Sequence, residues 1–200
     1  MCPGGVVVGA TSQLNGVVTN GMSYYARNSG IANSAVVVTV DSKDFGNHSV
    51  LAGMDFQRIL EEKAFTYGGE NYSAPAQRVG DFLKNQPTSH FSALSSSYLP
   101  GTKGANLREL FPPEISQALQ AGIKYFGTRL KGFDWPDAVL TGVETHTSAP
   151  VRILRNFNRE TEGFQGIFPV GEGAGYAGGI ISSALDGWRT AEEIIKRAGK

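Results

Sequence analysis

The chain has 200 residues, 40% of them hydrophobic, and its 18 Lys and Arg residues balance 18 Asp and Glu residues. This length can bury a real core, and a net charge of zero creates no field that would attract nucleic acid or an anionic membrane. One cysteine excludes an intrachain disulfide, the three histidines lack metal-ligand spacing, and no run of about 18 apolar residues indicates a membrane span. We therefore expect a cytoplasmic protein without a metal site.

Two β-branched runs near the start of the chain predict buried strands. They are residues 5–11 and 34–41, and turn residues bound both of them. The valines of residues 16–19 predict a short strand that pairs back through the turn at 13–16, since Asn-Gly is a strong hairpin signal. Tyr24, Tyr25 and Arg27 follow, either in a surface loop or in the wall of a ligand pocket.

Three stretches have the apolar spacing of helices. The first begins at Asp55 and ends at Gly68-Gly69, and the second runs from Pro75 to Lys84. The third begins at Pro112-Pro113, because proline suits the first turn of a helix. Between the second and third, residues 85–104 are rich in Ser, Thr, Pro and Gly and predict a long loop, either a lid or a crossing between subdomains.

A polar segment follows between two predicted strands, at 139–143 and 151–154. Glu144, His146 and Arg152 lie there among several hydroxyl side chains, so the segment combines a possible base with a fixed cation. The alternative is a polar hairpin tip in which Glu144 and Arg152 form a salt bridge that only shapes the turn.

The C-terminal part predicts a strand at 167–170, a glycine-rich turn and an amphipathic helix from Ile181. Dense glycines let a backbone approach a ligand, and the following helix directs its free N–H groups and positive dipole end there. This pattern predicts a cradle for an electron-rich group. It is not the usual dinucleotide fingerprint, since no second strand follows the helix, and a purely structural turn is the alternative.

The order Gly-Ile-Phe-Pro-x-Gly-Glu-Gly-Ala-Gly-Tyr-Ala-Gly-Gly-Ile at 166–180, followed by Ala-x-Asp-Gly at 184–187, resembles a known segment. It is similar to the C-terminal flavin-binding segment of FAD-dependent dehydrogenases of the two-dinucleotide-fold type, specifically a largely uncharacterised bacterial group. Residues 1–7, 20–27 and 141–152 match the same group. Two positions depart from it: His146 stands where arginine is common, and Val170 where cysteine is common.

The resemblance implies a role for each part of the site. It implies FAD binding by residues of the turn and the helix start, namely Gly171, Glu172, Gly173, Gly175, Gly178, Gly179 and Ile180. It also implies that the polar segment faces the flavin or a small-molecule substrate. Arg152 would then anchor a carboxylate-like group, and Glu144 or His146 would move a proton. Members of the group bind the ADP half of FAD on an N-terminal unit that these residues lack. We therefore expect a C-terminal fragment of a longer oxidoreductase, which by itself binds FAD weakly or not at all.

The predicted fold class is α+β. It consists of a mixed β-sheet, an attached helical subdomain, and a C-terminal strand and helix that complete a FAD-binding fold in the longer protein. The predicted division is 1–52 and 131–164 for the sheet, 53–130 for the helical subdomain, and 165–200 for the FAD-binding segment. The alternative function is a non-enzymatic binding or regulatory module that keeps this fold without cofactor. The sequence predicts neither the substrate, the electron acceptor nor the oligomeric state.

Overall fold

The computed structural model describes residues 2–46, 48–91 and 94–199. The protein belongs to the α+β class, as the sequence predicts. Its residues form two compact units. The first unit comprises Met1–Val40 and Phe56–Thr145, and the second comprises Asp41–Asp55 and His146–Lys200. The four-part division stays a prediction for the longer protein.

Small sheets organise the first unit. Strands β2 (Gly5–Gly9) and β3 (Thr19–Ser23) form an antiparallel hairpin. Strand β1 (Cys2–Pro3) pairs with β4 (Ala32–Asn33), also antiparallel. The hairpin confirms that the chain pairs back on β2, but Val17 and Val18, which were predicted to form the strand, lie in the connection before Thr19.

A mixed sheet lies elsewhere in the first unit. Its central strand is β5 (Ala74–Arg78), which runs parallel to β6 (Thr102–Gly104) and antiparallel to β7 (Val139–Thr141). Strand β7 confirms the prediction for 139–143.

Helices complete both units. The first unit holds residues 56–68 of α2 (Ala52–Gly68), the short α3 (Val79–Lys84), a 3₁₀ turn at Leu107–Glu109, and α4 (Pro113–Arg129). The second unit holds α1 (Ser42–Phe45) and α5 (Ile180–Ala198). Helices α2, α4 and α5 confirm three sequence predictions, and Pro113 occupies the first turn of α4 as expected.

The core of the first unit joins the hairpin, the helices and the mixed sheet. Its buried members are Val17, Ala64, Ala74, Val79, Phe82, Tyr98, Leu107, Leu110, Ile123 and Val143. Full burial of a large side chain such as Phe82 or Leu110 contributes about 1.5–3 kcal/mol.

Four predicted elements are wrong in the described structure. Residues 34–41 form no strand, because extended β-branched residues still need a partner strand to form a ladder. The helix predicted from Pro75 begins only at Val79. The residues before it form β5, which is buried between two neighbouring strands, and a short buried strand cannot be told from a helix by periodicity.

The other two wrong elements are the strands predicted at 151–154 and 167–170. Their backbone groups bond to loops instead. The Ile153 N–H donates to the Ala174 carbonyl at 3.2 Å, and the Thr161 N–H donates to the Ile167 carbonyl at 2.8 Å.

Across the described residues, no helix combines the length and the apolar character needed to cross a bilayer.

Candidate functional site

The glycine-rich loop spans residues 171–179 and leads directly into α5. Gly171 and Gly175 have φ angles of +75° and +81°, which only glycine adopts without steric cost. Gly175 also lies against the chain, since a Cβ there would stand 2.5 Å from the Val151 carbonyl oxygen. The fold itself therefore requires glycine at these two positions.

Gly173 and Gly178 differ from that pair. Neither has a positive φ, both are exposed, and a Cβ built on either would meet no atom within 4 Å. The described chain thus gives no packing reason for glycine at these positions. A group that approaches the loop backbone from outside the chain would provide one.

Helix α5 begins with a turn whose first amides have no side-chain cap. Gly179 is its N-cap, in extended conformation with φ −155°, and it has no side chain to accept from the first amides. The Gly179 N–H donates to the Ser182 hydroxyl oxygen at 3.1 Å. Ile180 is 89% exposed. No side chain among the described residues caps the first amides of α5, so these N–H groups can bind an electron-rich group.

Glu172 is the acid of the loop, and its side chain is half-buried. Its backbone carbonyl accepts from the Gly175 N–H at 2.8 Å, which closes a tight turn. Within the described part of the chain, no donor lies within hydrogen-bonding distance of its carboxylate. The Glu172 carboxylate is thus available to accept hydrogen bonds from a bound hydroxyl group.

An ion-pair network holds the loop to α5, and sequence reasoning did not find it. Asp186 accepts two hydrogen bonds from Arg155, at 2.7 and 3.0 Å, and one from Arg159 at 2.7 Å. Asp186 also accepts from the Gly171 N–H at 3.0 Å. The Arg155 guanidinium, followed by the Gly171 amide and Arg159, holds the pKa of this carboxyl far below its usual range against the effect of burial. The Ala-x-Asp-Gly motif contains Asp186, but nothing in the sequence indicates which residues pair with this carboxylate.

Arg152 lies at the same loop in the second unit. Its Nε donates to the Gly175 carbonyl at 2.9 Å, and its guanidinium carbon stands 5.2 Å from the centre of the Tyr176 ring. The side chain is exposed. The structure therefore brings Arg152 together with Gly175, one of the predicted cofactor-binding residues.

Glu144 belongs to the first unit, in the segment that follows β7. It is half-buried, and this desolvation raises the pKa of its carboxyl. The next residue, Thr145, is fixed on α2: its hydroxyl donates to the buried Glu61 at 2.6 Å, and its carbonyl accepts from Gln57 at 2.8 Å. His146 is exposed and begins the second unit.

Metal-ligating side chains do not cluster in the described residues: no group of three or more His, Cys, Asp or Glu residues is placed to hold an ion.

Comparison with known proteins gives one family and one relative. The family described as "FAD-dependent protein, C-terminal domain-like" matches residues 1–147. An uncharacterised protein of Clostridium beijerinckii is 50% identical over 197 residues. That match covers 98% of this chain but only 37% of the relative, so the chain spans little more than a third of the relative's length. The family match ends close to the boundary after Thr145, whereas the match to the relative covers both units.

Proposed function

Because this chain belongs to the FAD-dependent protein, C-terminal domain-like family, we propose that it is the C-terminal part of a FAD-dependent oxidoreductase. In this proposal the second unit provides the glycine-rich loop and the helix start that contact the flavin. More specifically, we propose that this oxidoreductase is a cytoplasmic dehydrogenase that acts on a small-molecule substrate.

The open space over Gly173 and Gly178 carries this proposal. Glycine is unnecessary at both positions as far as the described chain is concerned. A cofactor that lies directly on the loop backbone makes it necessary, because any side chain there would hold the cofactor away. Gly171 and Gly175 set the shape of the loop, and Gly173 and Gly178 keep its surface accessible.

The uncapped start of α5 fits the electron-rich edge of a flavin. The Gly179 and Ile180 backbone lies at the positive end of the helix dipole. When bound, FAD supplies the redox chemistry, and the protein supplies binding, orientation and electrostatics. A negative charge that develops at the helix start is stabilised there by about 0.3–1 kcal/mol. The helix start would thus favour the reduced cofactor.

Glu172 adds a hydrogen-bond acceptor to the same loop. Its carboxylate has no donor among the described residues, so it suits the ribityl or ribose hydroxyls of FAD. A hydrogen bond to a charged group contributes about 1.5–3 kcal/mol.

For the substrate side we propose Arg152 and His146 of the second unit, and separately Glu144 of the first unit. Arg152 uses Nε to hold the Gly175 carbonyl, and its terminal nitrogens have no acceptor among the described residues. They suit a substrate carboxylate. Glu144 has the raised pKa of a proton-transfer group. His146 is the second candidate for that transfer.

The apolar face of α5 supports the proposal that further polypeptide belongs with this chain. Its members are all at least 47% exposed here: Ile181, Leu185, Trp188 and Ile195. Such a stripe normally packs against another element. The relative is much longer than this chain, and a FAD-binding half that packs on α5 would cover the stripe.

Purification of the intact protein tests the proposal. We expect the visible absorbance of an oxidised flavin in the purified protein, and its loss on reduction with dithionite. An intact, folded protein that neither carries FAD nor binds added FAD would refute the proposal and favour a binding or regulatory module without cofactor.

A further inference from the structure

We propose that Asp186 and Arg155 are positioning residues that hold the glycine-rich loop in its ligand-binding shape before any ligand is bound. The inference rests on the proposed function only for the identity of that ligand. The contacts themselves belong to the chain alone, so the two ideas can fail separately.

The carboxylate of Asp186 joins helix α5 to the start of the loop. One oxygen, Oδ1, accepts from Arg155 and Arg159, both at 2.7 Å. The other, Oδ2, accepts from Arg155 and from the Gly171 N–H, both at 3.0 Å. The Asp186 side chain is only 11% exposed. The Gly171 amide therefore bonds to a fixed, charged acceptor rather than to water.

Arg155 extends the same link to both sides of the loop. Its guanidinium donates to the Pro169 carbonyl at 2.6 Å, on the near side of Gly171. On the far side, its guanidinium carbon stands 3.6 Å from the centre of the Tyr176 ring, a cation–π distance. The loop closes between these points, since the Tyr176 N–H donates to the Gly171 carbonyl at 3.0 Å. One cation thus fixes both flanks of the closed turn.

The Arg155–Asp186 ion pair matters more for the geometry of the glycine-rich loop than for the stability of the fold. Buried ion pairs contribute little net stability, because desolvation of the charges offsets their attraction. They do restrict the chain to one arrangement when both partners fork, as Arg155 and Asp186 do. A loop that presents Gly173 and Gly178 to a ligand needs such restriction, since glycine otherwise has the largest conformational freedom of any residue.

Arg159 provides a matched control. It donates to the same Oδ1 oxygen of Asp186, and it lies 3.4 Å from the Thr190 hydroxyl on α5. None of its contacts in the described structure involves the glycine-rich loop. Arg159→Gln therefore removes an ion pair from Asp186 without removing a contact to the loop.

The experiment compares Asp186→Asn and Arg159→Gln in the intact protein, first without FAD. Amide hydrogen exchange at Gly171 and Tyr176 should accelerate about tenfold or more in Asp186→Asn, because a charged acceptor is lost. Exchange in the last turns of α5 should stay unchanged, and Arg159→Gln should leave the loop amides unchanged. Unchanged loop exchange in Asp186→Asn, or equal acceleration in both variants, would overturn the positioning role.

A second arm titrates the same proteins with FAD. Asp186→Asn should weaken FAD binding about tenfold or more, while Arg159→Gln stays within about twofold of the unmodified protein. If loop exchange responds as expected but no protein binds FAD, the positioning role stands and the proposed function fails. Should Asp186→Asn not fold, Arg155→Lys replaces it, since lysine keeps the charge but cannot make the fork. Loop exchange that matches the unmodified protein in Arg155→Lys would equally refute the inference.

Discussion

Two alanine substitutions within one loop should separate folding from cofactor binding. Gly175→Ala places a side chain at φ +81°, which costs about 1–2 kcal/mol for a residue other than glycine. Its Cβ would also stand 2.5 Å from the Val151 carbonyl oxygen and 2.9 Å from the Arg152 Cα. Backbone must shift to relieve both contacts. We therefore expect the free energy of unfolding to fall by at least about 1–2 kcal/mol.

Gly173→Ala should have the opposite profile. The position has no positive φ, and the new Cβ would meet no atom within 4 Å. The free energy of unfolding should stay the same or rise by about 0.4–1 kcal/mol, because alanine restricts the unfolded chain. FAD affinity should nevertheless fall about tenfold, or 1.4 kcal/mol, because the methyl group occupies space that the cofactor needs.

Urea denaturation of the intact apoprotein and fluorescence titration with FAD measure the two quantities on the same samples. Equal destabilisation by the two substitutions would contradict the assignment of open space at Gly173. A Gly173→Ala protein with unchanged stability and unchanged FAD affinity would refute the observation on which the proposed function rests.

Four further outcomes are expected. Glu172→Ala should weaken FAD binding by at least about tenfold, about 1.4 kcal/mol. The matched control is Glu162→Ala, since Glu162 is an exposed acid in a turn outside the glycine-rich loop, and it should leave FAD binding unchanged. Equal retention of flavin by the two variants would show that Glu172 is a solvated acid. Gly179→Val should lower flavin occupancy or the reduction potential measured by dye-coupled titration, and an unchanged value of both would place the cofactor elsewhere. Burial raises the folded-state pKa of Glu144, so its charged form disfavours folding. The free energy of unfolding should therefore decline as pH rises from about 4.3, the unfolded pKa, through the raised folded pKa. Denaturation as a function of pH should show less of that decline in Glu144→Gln, and identical profiles would contradict the burial argument. Residues 1–200 alone should bind FAD more weakly than about 1 μM in a calorimetric titration, since the ADP half of the cofactor has no predicted site here, and tighter binding would disprove that expectation.

Local signals in the sequence predicted the elements that depend on local interactions. Helices α2, α4 and α5 have the 3.6-residue apolar period, and glycine or proline marks their ends. The Asn-Gly signal also predicted that the chain turns back on β2, but a nine-residue connection from Ala10 to Val18 joins β2 and β3, so the turn did not determine which residues pair. The glycine-rich loop before α5 was also predictable, because a dense run of glycines ahead of a helical pattern is a local feature.

Elements that need a distant partner were not predictable in this way. The apolar runs at 34–41, 151–154 and 167–170 suit strands, but the chain gives them no ladder partner in the described structure. The residues of strand β5 suit the start of a helix by their spacing alone, and only the two flanking strands, distant in sequence, make them a strand. Strand formation depends on pairing, and a single sequence does not show which segments pair.

The candidate site divides in the same manner. The sequence by itself determined which residues form the glycine-rich loop and that a helix starts behind it. Only the tertiary structure separated Gly171 and Gly175, which the backbone requires, from Gly173 and Gly178, which face open space. It alone also paired Asp186 with Arg155, a residue 31 positions away. The physical reason is that propensity acts over a few residues, whereas an ion pair forms only after the chain has brought distant charges together.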